Sequence, residues 1–139
     1  MRTKLAVMIG SMSLFLSMAP VWAHHSFAAE YDQHRPVKLV GTVTKVELVN
    51  PHVWIHVDVK DPNGKVVSWQ IEAGAPNVLF RRGLTKDSLP VGTEIVVSGY
   101  QAKNGSNTAN GKDVRLPNGQ IVFLGSSGSG APYDDKSAK

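Results

Sequence analysis

Two alternating runs around a tight turn constrain this chain more than any other feature. Val53, Ile55, Val57 and Val59 point one way in "HVWIHVDV", and His52, Trp54, His56 and Asp58 point the other. Asp61-Pro62-Asn63-Gly64 is a strong turn sequence. "KVVSWQIEA" returns with Val67, Trp69 and Ile71 on one side and Ser68, Gln70 and Glu72 on the other. A period of two on both sides of a turn dictates an antiparallel hairpin with one apolar face. That face has to be buried by more sheet.

The rest of the chain supplies it. "VKLVGTVTKVELV" reads as a long first strand, with Gly41 inside it as the expected bulge or bend. Asn50-Pro51 marks a turn before the hairpin. After Gly74 the period changes. "APNVLFRRGL" has Pro76 at a helix start, Arg81 and Arg82 in the last turn to complement the helix dipole, and Gly83 as a stop. "TEIVVSGY" is a further strand, "QAKNGSNTANGK" a polar loop, and "DVRLPNGQIVFL" a last strand folded at Pro-Asn-Gly. Three strands, a short helix and then two or three more strands predict an all-β domain with one short helix, a small OB-fold-like barrel of five to six strands, with a plain β-sandwich as the alternative that the helix position disfavours.

The ends differ in character. Arg2 and Lys4 precede a mostly apolar run over residues 5–18, followed by Pro20 and Val21-Trp22-Ala23. This is the pattern of a secretory signal peptide over residues 1–23, cleaved after Ala23, which places the mature protein in the periplasm. The apolar run is short of the roughly 20 residues a membrane span needs, and no transmembrane segment is expected in the mature chain. Residues 24–36 read as an N-terminal arm, 37–124 as the barrel domain, and the Gly/Ser-rich and charged residues 125–139 as a flexible tail. The leader holds two of the 15 basic residues and none of the 11 acidic ones, which leaves 13 against 11 and a net charge of +2. That balance, together with export, argues against nucleic acid as a partner. There is no cysteine, so a metal site would have to use imidazole, carboxylate or backbone donors.

Cleavage after Ala23 would leave His24 with a free amine. An N-terminal histidine chelates Cu(II) through that amine and its own imidazole, and one further imidazole completes the tetragonal nitrogen set that Cu(II) prefers. His24, His25 and His52 are therefore the candidate metal ligands, with copper the candidate ion. Trp54, His56, Gln70 and Glu72, on the polar face of the hairpin, are candidate contacts for a small ligand. The same Trp54 face could instead dock a protein partner. His52 and His56 are about 13 Å apart along one extended strand, too far to share an ion. No nucleophile stands out, and no enzyme activity is expected.

"AHHSFAAEYD", "GTVTKVELVNPHVWIHVDV", "NVLFRRGLTKDSL" and "VVSGYQAKNGSNTANGKDVRL" together resemble a family of bacterial exported proteins classed as a domain of unknown function. The shared set is an HHSF mature start, a central NPH motif, an RRG-x-T turn and a GSNTAN-type loop. Leu48 and Leu84 stand where members often carry Trp. The resemblance implies export and the domain boundaries. It brings no catalytic residue.

Overall fold

The computed structural model describes residues 27–125 and 129–133. The expected signal peptide, His24, His25 and parts of the tail lie outside the described residues. One helical turn, α1 (Phe27–Glu30), leads into β1 (Tyr31–Glu47), β2 (Trp54–Lys60) and β3 (Val66–Glu72). A short helix, α2 (Pro76–Arg81), and a 3-10 turn (Lys86–Ser88) follow, and then β4 (Glu94–Ala102), β5 (Thr108–Arg115) and β6 (Ile121–Phe123). The strands are ordered β3-β2-β1-β4-β5-β6, and a further pairing of β3 with β5 joins the ends of five of them. That closing pair is parallel and the others are antiparallel. The result is a closed five-stranded ring, OB-like in order, with α2 between the third and fourth strands as expected. β6 extends β5 outside the ring.

The apolar half of each alternation fills the interior. Val43, Ile55, Val57, Ile71, Ile95, Val97, Val114 and Leu124 are buried there, and Leu79 of α2 with Leu84 and Leu89 joins the same cluster. Each such side chain contributes about 1.5–3 kcal/mol on full burial. The expected irregularity in the first strand falls not at Gly41, which keeps regular partners, but between Val43 and Lys45. The extra residue inverts the alternation. Val46 and Leu48 now pack against the core, and Glu47 turns outward opposite Trp54.

β5 begins at Thr108, inside the stretch that reads as a loop. Its residues are small because the ring closes there. Ala109 is fully buried. A Cβ on Gly111 would lie 2.8 Å from Leu124 Cδ1 and 2.9 Å from Ile71 Cγ2, and one on Gly99 would lie 2.2 Å from the Asn110 carbonyl oxygen.

The described residues of the arm and the tail pack on the ring. β1 starts at Tyr31, which pairs with Ala102 before regular pairing resumes at Pro36. Of the expected tail, Ala131 and Tyr133 are buried with Phe27, Tyr31 and Ala102 in a second cluster, against which Tyr100 and Phe123 pack. The Phe27 amide donates to the Ser129 carbonyl at 2.9 Å, and the Lys103 ammonium donates to the Ala28 carbonyl at 2.6 Å. Aromatic burial and these bonds hold the described parts of arm and tail against the outside of the ring.

Arg82 does not serve its own helix. Its Nη1 donates to the carbonyls of Phe123 at 3.2 Å and Gly125 at 2.5 Å, and its guanidinium lies 4.7 Å from the Phe123 ring centroid. It thereby supplies a donor to two carbonyls, one at the end of β6 and one just beyond it. Arg82→Lys keeps the charge and loses the planar fork, so thermal or urea unfolding should show a loss of about 1 kcal/mol. The exposed Arg81→Lys should show almost none. Among the described residues no helix is long and apolar enough to cross a membrane.

Candidate functional site

The outer face of the ring carries the polar half of the alternation. Across β2 and β3, Trp54 stands opposite Glu72, His56 opposite Gln70 and Asp58 opposite Ser68. On the other side of β2, Glu47 faces Trp54 and Lys45 faces His56. The parallel seam adds Thr108 beside Gln70 and Asn110 beside Glu72.

Glu72 is the one buried charged residue among those described, at 6% exposure. The arm buries it. The Tyr31 hydroxyl donates to Glu72 Oε2, and His52 Nδ1 meets Glu72 Oε1. Two backbone bonds between Val53 and Ala73–Gly74 fix the loop that carries His52: the Val53 amide to the Gly74 carbonyl at 3.1 Å and the Ala73 amide to the Val53 carbonyl at 2.8 Å. A carboxylate only accepts, so its contact with Nδ1 places a hydrogen there, and in the neutral ring the lone pair is then on Nε2. The His52 side chain is 31% exposed, so that nitrogen has a route to solvent. Burial, and then the bond to Glu72, push the Tyr31 phenol well above its ordinary pKa. It stays a neutral donor at any physiological pH.

His56 belongs to a different pair. Its Nε2 lies 3.1 Å from Glu47 Oε2, and Lys45 contacts the other oxygen of the same carboxylate. Lys45 first and His56 second hold the Glu47 carboxyl below the usual glutamate range. The candidate residues thus divide. His52 and Glu72 are brought together, Trp54 stands beside Glu72, and His56 and Gln70 form the next row. His24 and His25 fall outside the described residues.

Sequence reading missed Tyr31, Glu47, Asn110 and Tyr133. The Tyr133 hydroxyl donates to Asn110 Oδ1, in the strand position next to Glu72. Tyr133 also stacks on Tyr100 at 6.2 Å, and Phe27 lies 5.8 Å from Tyr31 and 5.4 Å from Tyr100. These contacts arise from chain ends folding back, for which periodicity carries no signal. Among the described residues, no group of three or more His, Asp or Glu side chains is arranged to hold a metal ion.

Residues 13–111 match the model of a family of unknown function, DUF6152. The chain belongs to this family. The DUF6152 match includes Tyr31, His52, Glu72 and Asn110, and ends within β5, before β6 and Tyr133. No curated protein and no solved structure shows a match.

Proposed function

We propose that this DUF6152 protein is an exported, non-enzymatic binding module that takes up a transition metal ion, Cu(II) first, between His52 and the histidines of a mature N-terminus at His24. The observation that carries this reading is the pairing of His52 Nδ1 with the buried Glu72 carboxylate. A ligating imidazole commonly donates its other N–H to a carboxylate, which fixes the tautomer and makes the free nitrogen more basic. His52 has this arrangement before any metal arrives. Glu72 has each oxygen engaged by one donor, so it acts as the outer partner and not as a ligand.

The entry of the chain supports the second half of the site. Phe27 stacks on Tyr31, and Tyr31 reaches Glu72. Three extended residues from His24 to Phe27 reach about 10 Å. An amine and imidazoles brought to His52 would give a nitrogen-rich set without thiolate, which suits Cu(II) better than a soft or a hard cation.

The test is the mature protein recovered from the periplasm, its start checked by intact mass, and titrated with Cu(II) under electron paramagnetic resonance. A start at His24 and a one-to-one tetragonal nitrogen signal are expected. His52→Ala, and separately one extra residue placed before His24, should each weaken binding at least tenfold. Affinity unchanged in both variants would overturn the proposal.

A further inference from the structure

The row of residues beyond His52 and Glu72 has no role in either the fold or the metal reading. His56 on β2, Gln70 on β3 and Thr108 on β5 lie side by side in register, with Trp54 the next outward residue along β2. The Trp54 indole is half-buried, Gln70 is exposed and Thr108 half-buried. Among the described residues the Gln70 side-chain amide and the Thr108 hydroxyl make no hydrogen bond, so both side chains keep full capacity to donate and to accept. Two strand spacings carry the row over about 10 Å, about the length of a disaccharide.

One side of the row is walled by the turn between β4 and β5, which is held in place. The Gln70 backbone N–H donates to the Asn107 carbonyl at 2.9 Å, and Gln101 Nε2 donates to the carbonyls of Ser106 at 3.0 Å and Gly105 at 3.3 Å. The charges nearby decide what class of ligand fits. Glu47, Glu72 and Asp58 share this face, and Lys45, the one cation in these rows, is already on Glu47. A phosphate or sulfate polymer would meet net negative charge. A neutral ligand with hydroxyls that both donate and accept would meet Gln70, Thr108, His56 Nδ1 and the Ser68–Asp58 pair. An apolar C–H face on that ligand would meet the indole.

We propose that this face binds a neutral oligosaccharide, with Trp54 as the stacking platform and Gln70 and Thr108 engaging sugar hydroxyls. The site shares no residue with the proposed metal ligands, and it stands if the copper reading fails.

The experiment titrates the mature protein with triacetylchitotriose and with cellotriose and follows tryptophan fluorescence. Trp54 and Trp69 are the only tryptophans after Trp22, so a Trp69→Phe background isolates Trp54. A saturable change with at least one probe is expected. Gln70→Ala and Thr108→Ala, both surface changes that leave the core intact, should each weaken it at least tenfold, and Trp54→Ala should abolish binding by calorimetry. Cu(II) affinity should be the same in all of these variants. No saturable change with either probe overturns the proposal. So does binding that survives Gln70→Ala and Thr108→Ala, or a sulfated oligosaccharide binding as well as the neutral ones.

Discussion

Alanine at Gly99 is expected to cost about 3 kcal/mol or more, a large part of the roughly 5–15 kcal/mol that holds a domain of this size together. The added methyl would sit 2.2 Å from the Asn110 carbonyl oxygen, 3.1 Å from its carbon and 3.2 Å from Gly111 Cα. All three are backbone atoms of the facing strand, so no side chain can turn aside to make room. β4 and β5 would have to part where their register already shifts, between Ser98 and Gly99. That is also where β5 turns to meet β3. Gly111→Ala is expected to cost less, because its new methyl would meet the ends of the Leu124 and Ile71 side chains, which can tilt. Urea unfolding of both variants against Ser98→Ala, on the outer face, measures this order. A Gly99→Ala protein as stable as its parent would show that the seam is looser than described.

Glu72→Ala is the second large effect, and it acts on two quantities at once. The Tyr31 hydroxyl would be left buried without its acceptor, at about 1–3 kcal/mol of stability. His52 would lose the group that fixes its tautomer and direction, and Cu(II) affinity should fall about 10- to 100-fold. Tyr31→Phe separates the two. It removes the hydroxyl and keeps the His52–Glu72 contact, so stability should fall while most of the affinity remains. Equal affinity losses in both variants would mean that the arm, and not the carboxylate, orients His52. Unfolding curves and Cu(II) titrations on the same two proteins give the comparison.

The ring was legible where side chains alternate. The hairpin from His52 to Glu72 and the long first strand follow from apolar residues at every second position. Pro76 and Gly83 bracket the helix because each suits its end for a backbone reason. What stayed hidden depends on contacts between distant segments. Ala109 and Gly111 are poor strand formers, and they lie in a strand because the closing seam has no room for larger groups. Residues 129–133 look like linker by composition, and Tyr133 is buried because Tyr100 and Phe123 offer it a surface. Glu72 shows the same limit at the candidate site. Alternation places it correctly beside Trp54 on the outer face, but nothing local says that Tyr31 covers it. The bulge after Val43 decides that Glu47 stands outward opposite Trp54, within reach of His56, and a one-residue slip leaves no mark in composition.

The bond from the Phe27 amide to the Ser129 carbonyl joins residues more than a hundred positions apart. Synthesis runs from the N-terminus, so the segment made first is among the last to find its partner. Phe27 and Tyr31 have nothing complete to settle on until β4, β5 and the residues around Tyr133 have been made. Until then two aromatic rings stay exposed at the leading end of the chain, and the geometry around Glu72 exists only once the whole molecule does. Any binding that uses the arm would thus report a finished fold, and a chain cut short before Ser129 would keep much of its ring yet lack the carbonyl and the aromatic surface on which Phe27 closes.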